Sequence, residues 1–127
     1  MKIVADQFVL FEDISSFNFG RCYYDFHNDF NCIKILLEEE SLYLYFQHIH
    51  EKYVIILQFY NCEIEKLNFE GDFTASLTID TIYRGRYEKS GLLKEFSDDG
   101  KAYFYIEFYE GNVNIELLCS GILLQQQ

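Results

Sequence analysis

Three histidines, four cysteines and 21 acidic residues are the groups in this 127-residue chain whose chemistry comes first to mind. His48 and His50 stand two apart, a spacing that on a strand aims both imidazoles to one side, and Asp25, His27 and Asp29 alternate in the same way. A metal centre needs three or four such groups converging from separate elements, and the sequence offers pairs with nothing to bring them together. They read as polar residues of an acidic surface. Cys22, Cys32, Cys62 and Cys119 have no close paired spacing, so neither a zinc ribbon nor a redox motif is indicated. They are expected to be reduced, partly buried small hydrophobes, with disulfides formally open because the count is even. No Gly-x-Ser-x-Gly elbow is present, most serines fall in turn-like stretches, and the seven glycines are isolated, so no phosphate-cradling loop exists. Adjacent carboxylates are arithmetic in so acidic a chain, and Asp98-Asp99-Gly100 lacks the spaced ligands and closing Glu of a calcium loop. The expectation is a chain without catalytic residues, metal or cofactor.

Tyrosine carries a different signal. Ala102 to Tyr109 alternates so that Phe104, Ile106 and Phe108 share one strand face while Tyr103, Tyr105, Glu107 and Tyr109 share the other. Leu42 to Phe46 repeats the arrangement, with Leu42, Leu44 and Phe46 opposite Tyr43 and Tyr45. If the two strands lie in one sheet, Tyr43, Tyr45, Tyr103, Tyr105, Glu107 and Tyr109 form a ring-rich, carboxylate-bordered patch suited to binding a protein partner. Tyrosine recognises well because a large rigid ring loses little side-chain entropy and keeps a polar end. The competing expectation is that the amino-terminal segment or a second layer covers these rings, or that they form a homodimer seam. Tyr83-Arg84-Gly85-Arg86-Tyr87 looks superficially like a nucleic-acid element, yet alternation separates its rings from its guanidinium groups. Arg84 and Arg86 are expected to pair with acids on neighbouring strands.

The elements that must position these residues are strands. Half the residues are hydrophobic and 19% are aromatic (13 Phe, 11 Tyr), which excludes disorder and leaves more rings than one small core can hide. Strand patterns recur from Cys32 onward: 33–37, 42–46, the doubly apolar Tyr53 to Tyr60, Glu63 to Phe69, Leu77 to Glu88, Leu92 to Phe96, and a hairpin from Ala102 to Cys119. Turns are expected at His27-Asn28-Asp29, Glu70-Gly71-Asp72, Ser97 to Lys101 and Glu110-Gly111-Asn112. Gly85 inside a strand predicts a bulge or a close backbone approach. Residues 1–20 lean to helix or irregular structure, Arg21 to Phe26 to a strand, and 121–127 to a frayed tail. Together these predict one mainly β domain, an antiparallel meander forming a sandwich or partly open barrel with at most one or two short helices.

The net charge of −11 disfavours nucleic acid and anionic membrane, since phosphate binding rests on Lys and Arg and only ten are present. It serves solubility, or attraction to a basic partner. Without a leader-like start or an apolar span near the roughly 20 residues of a membrane helix, the expected location is the cytoplasm.

Asp25-Phe26-His27-Asn28-Asp29 and Cys32-Ile33-Lys34-Ile35, followed by Leu42 to Phe46 and then Val54 to Phe59 with Cys62, Ile64 and Leu67, resemble small all-β immunity-type proteins of bacterial toxin systems. There a His-acid element precedes a strand pair and a hydrophobic strand, short turn and short strand follow. The resemblance covers residues 23 to 69, with Asn28 set between His27 and Asp29 and no Trp as departures. It implies a cytoplasmic protein that binds and neutralises a partner without performing chemistry, and it assigns no binding residue. The function expected is a non-enzymatic protein-binding domain; the alternatives are a small-molecule-binding, barrel-like protein and a homo-oligomeric structural protein.

Overall fold

Aromatic and β-branched residues in period two dictate strands, and the computed structural model, which describes residues 1–70, 76–110 and 112–127, is built of them. In chain order they are β1 (Lys2–Val4), a 3-10 turn (Ala5–Gln7), β2 (Ser16–Phe19), β3 (Cys22–Asp25), β4 (Phe30–Glu38), β5 (Ser41–His48) and β6 (Val54–Tyr60). β7 (Glu63–Glu70), β8 (Ile79–Gly85), β9 (Tyr87–Lys89), β10 (Leu92–Lys94), β11 (Ala102–Phe108), β12 (Asn112–Cys119) and β13 (Gly121–Gln126) complete the chain. A five-stranded sheet has the order β1-β13-β6-β5-β4 and a four-stranded sheet the order β7-β12-β11-β8, with β2–β3 and β9–β10 as separate hairpins. Every pairing is antiparallel, the sheets pack as a sandwich, and neither closes into a barrel.

The two sheets are joined where two paired strands turn a corner together. β6 passes into β7 through Asn61-Cys62, and β12 passes into β13 through Ser120 alone, so β6 pairs β13 on one side of the bend and β7 pairs β12 on the other. Asn61 adopts a left-handed φ of 53°, which asparagine tolerates, and its side-chain amide donates to Ser120 Oγ at 2.9 Å. The Ser120 N–H donates to Tyr60 O at 3.1 Å and the Ala5 N–H to Ser120 O at 2.9 Å, tying the amino-terminal strand to the same corner. A Cβ on Gly121 would lie 2.5 Å from both Ile3 O and the Tyr60 hydroxyl oxygen, so only glycine fits.

The core fills the space between the sheets. Leu42, Leu44, Phe46, Leu57 and Phe59 meet Phe104, Ile106, Ile115 and Leu117, and the rings of Phe59 and Phe104 lie 5.9 Å apart. The β2–β3 hairpin and the following turn add Phe19 and Phe26, the latter 4.7 Å from Phe46. The amino-terminal segment covers the edge of β8: Phe11 N–H donates to Arg84 O and Ile14 N–H to Ile82 O, both at 2.6 Å, while Phe8 sets its ring edge-on to Phe104 at 5.4 Å.

Several expectations are corrected here. Residues 121–127 are no frayed tail: β13 is an interior strand, because Ile122 and Leu124 point into the core while its backbone is bonded on both sides. Residues 1–20, expected as helix or irregular structure, contain two short strands and one 3-10 turn. The run from Leu77 to Glu88 breaks at Arg86 into β8 and β9. Gly71 and Asp72 of one expected turn, and Gly111 of another, lie outside the described residues. No helix among the described residues is long and apolar enough to cross a membrane.

Gly121→Ala is expected to lower stability by about 2–3 kcal/mol through overpacking against Ile3 and Tyr60, moving the melting temperature down by roughly 6–10 °C in a circular-dichroism melt. A melting temperature within a degree or so of wild type would show that the corner yields.

Candidate functional site

Period two sends Tyr103, Tyr105 and Glu107 of β11 to the outer face of the four-stranded sheet, and its register supplies their neighbours. Gly85, Tyr103 and Leu118 form one row across the strands, Tyr83, Tyr105, Glu116 and Lys66 the next, and Thr81, Glu107 and Asn114 a third. Tyr103 is only 7% exposed, because its ring packs beside Gly85 and is covered by Tyr87 of the β9–β10 hairpin. A Cβ on Gly85 would stand 3.0 Å from Tyr83 and 3.2 Å from Tyr103, so the glycine expected to mark a close approach does so by admitting these rings.

The rings form two contacting groups that meet beside Gly85. Tyr83 and Tyr105 are 5.4 Å apart, Tyr87 stacks on Tyr103 at 6.2 Å with planes 21° apart, and Phe11 adjoins Tyr83 at 6.5 Å. Phe11 holds a left-handed φ of 64°, which for a bulky residue costs about 1–3 kcal/mol, and Arg86 lies 5.0 Å over its ring. The Tyr103 hydroxyl donates to Glu116 and the Tyr105 hydroxyl to Glu107. Burial, and then these carboxylates, push both phenols well above the ordinary tyrosine pKa. They therefore stay protonated, their protons already committed, and are hydrogen-bond anchors with no readiness to act as bases.

Carboxylates border the rings. A cleft of about 460 Å³ beside Tyr103 and Tyr87 is lined by Glu65, Glu88 and Glu116 together with Lys66 and Arg86. It adjoins another of about 440 Å³ that shares Glu65, Tyr87 and Glu88 and adds Glu63, Asp98 and Asp99. Beneath this second cleft Lys101 is buried, its ammonium 2.9 Å from Glu63 and 3.5 Å from Asp99; the Glu63 hydrogen bond raises its pKa.

The six candidate residues do not form one patch. Tyr103, Tyr105 and Glu107 lie together, and Tyr109 extends from the adjoining hairpin tip, 74% exposed. Tyr43 and Tyr45 belong to the other sheet, on the face opposite Leu42, Leu44 and Phe46, and so point away from the four-stranded sheet. Lys34 stands over Tyr45 at 5.1 Å, so that face brings its own cation. Tyr83, Tyr87, Phe11 and Glu116 were missed; Tyr83 and Tyr87 share a strand face in the sequence, but their adjacency to β11 is a matter of strand order.

The remaining candidates have local duties. His27 Nδ1 lies 2.6 Å from Ile79 O, and His48 Nδ1 accepts the N–H groups of His50 and Glu51 at 3.1 and 3.0 Å, closing its loop. Asp25 accepts from Asn28. Among the described residues no three His, Cys, Asp or Glu side chains are placed to hold a metal. Arg84 pairs with an acid as expected, but from a buried position: it is 3% exposed, with its guanidinium 3.3 Å from Glu95 and stacked on Phe96 at 4.6 Å.

Comparison with protein families, with curated proteins and with solved structures finds no match to this chain.

Two outcomes follow from the site. Because the phenols of Tyr103 and Tyr105 titrate above the value of about 10 for an unfolded tyrosine, their contribution to stability is intact below pH 10 and is lost as pH rises further. Stability followed against pH should fall above pH 10, and less steeply in Tyr103→Phe and Tyr105→Phe; equal slopes would refute the assignment. Of the four unpaired cysteines, exposed Cys22 should react promptly with a thiol reagent, whereas Cys32, whose pKa burial pushes up to about 12, Cys62 and Cys119 should react only on unfolding.

Proposed function

We propose that this chain is a non-enzymatic, cytoplasmic protein-binding domain whose tyrosine-lined outer sheet face takes a basic protein partner, in the manner of an immunity-type inhibitor. The observation that carries this reading is the pair of ring groups Tyr83 with Tyr105 and Tyr103 with Tyr87, in which the Tyr105 and Tyr103 hydroxyls are held by Glu107 and Glu116 beside acid-lined clefts. Rings fixed before binding lose little entropy on contact, and lysine or arginine side chains of a partner would find both π faces and carboxylates there. The net charge of −11 supplies long-range attraction to such a partner and repels nucleic acid. A small-molecule binder has less support, since neither sheet closes around a barrel interior.

Co-purification from the native cell would supply the partner. Against it, Tyr105→Ala combined with Glu107→Lys should raise the dissociation constant by about 30-fold or more, the scale of a hot-spot loss near 2 kcal/mol, with an unchanged circular-dichroism spectrum. Tyr43→Ala, on the opposite sheet, should leave it unchanged. Equal affinity of the double variant and wild type would overturn the assignment of this face.

A further inference from the structure

β4 is an outermost strand of the five-stranded sheet, and among the described residues its outer side is bonded only at Cys32, which exchanges backbone bonds of 2.7 and 3.0 Å with Leu77. Beyond Cys32 it runs to Glu38 without proline and with Ile33 and Leu37 51% and 46% exposed, a length and character that invite another strand. The direction of its backbone groups follows from its turn. The two-residue turn Glu39-Glu40, with φ of 48° and 61°, makes Glu38 and Ser41 the closing bonded pair. Alternation then spends the N–H and C=O groups of Leu36 and Lys34 on Tyr43 and Tyr45, and turns those of Ile35 and Leu37 outward.

We propose that β4 is the dimerisation edge of this protein, and that a second copy of the chain pairs with it antiparallel about a twofold axis at Leu36. In this register Ile35 faces Leu37 of the partner subunit and Leu37 faces Ile35 of the partner subunit, each pair exchanging two backbone bonds between outward groups. Leu36 faces Leu36 of the partner subunit. Lys34 faces Glu38 of the partner subunit, and the twofold axis repeats that opposite-charge pair on the other side. Among the described residues neither Lys34 nor Glu38 is in an ion pair within its own chain. A shift of two residues toward the amino terminus keeps the backbone parity but sets Glu38 against Cys32, whose outer bonds Leu77 already holds; a shift the other way sets Ile35 against the turn at Glu39. β7, an outermost strand of the other sheet, carries Glu63, Glu65 and Glu70 against Lys66, and repels its own copy. The edge at β4 is thus self-complementary in charge, apolar contact and hydrogen-bond phase at one register.

The inference is independent of the partner-binding face, which lies on the other sheet. Sedimentation equilibrium of the full chain up to millimolar concentration should give a mass twice 15.2 kDa. Lys34→Glu alone, or Glu38→Lys alone, places like charges opposite each other and should raise the dimer dissociation constant about tenfold or more. The combined Lys34→Glu and Glu38→Lys chain should recover the wild-type value. Leu37→Pro removes an outward N–H and no bond to β5, and should give a monomer with unchanged circular dichroism. A wild type that stays monomeric, a dimer indifferent to Leu37→Pro, or a charge exchange that fails to rescue would each overturn the proposal.

Discussion

The corner at Asn61, Ser120 and Gly121 is the constraint on which the rest of the molecule depends. Two adjacent strands leave one sheet and enter the other at the same level, so their pairing resumes after the bend, and the Ser120 and Cys62 N–H groups within it donate to Tyr60 O and Glu40 O. Because β6 runs on into β7 and β12 into β13 through this corner, the inner faces close on each other and the outer faces diverge. The corner therefore decides where every tyrosine points. Tyr105 and Tyr43 occupy equivalent outward positions on their strands, yet the bend directs them to opposite sides of the molecule.

That divergence marks the limit of what the sequence expresses. Period-two alternation sufficed to sort Phe104, Ile106 and Phe108 from Tyr103, Tyr105 and Glu107, because burial of one sheet face imposes it locally. Sheet membership is a long-range property, and nothing in Leu42 to Phe46 distinguishes a neighbour of β11 from a strand on the far layer. β13 was illegible for a related reason: Gly121-Ile122-Leu123-Leu124 followed by three glutamines is too short and too polar to read as a strand. Its burial comes from β1 and β6, which flank it from the start and the middle of the sequence. Arg84 meets an acid as expected, but its burial was illegible because alternation identifies a face without saying whether other segments cover its end. Phe96 and the Phe11 to Ile14 segment do so.

Charge is distributed unevenly between inside and outside. The buried charged side chains among the described residues are both cationic, Arg84 and Lys101, and each meets a carboxylate at its rim, Glu95 and Glu63 respectively. Burying a charge requires such a partner, and here it withdraws positive charge from a surface that has little to spare. Lys66, Lys89 and Lys94 are further occupied by Glu116 and Asp98. Beside Tyr103 the balance stays acidic, with Glu65, Glu88 and Glu116 against Lys66 and Arg86.

The two surfaces assigned here obey different physics. The tyrosine face works by rigidity: Gly85 admits the rings beside it, Glu107 and Glu116 hold their hydroxyls, and strain at Phe11 keeps one more ring in place. The β4 edge works by phase, since the Glu39-Glu40 turn fixes which backbone groups face outward and Lys34 and Glu38 select one register from those that phase permits. Pairing at β4 extends the five-stranded sheet and leaves the outer face of the four-stranded sheet uncovered. A twofold pair would then display two tyrosine faces, and a partner with two basic segments would bind the second at the effective concentration set by the first. In that arrangement the strand edge, which recognises only a second copy of the chain, would multiply the affinity of the face proposed to bind the partner.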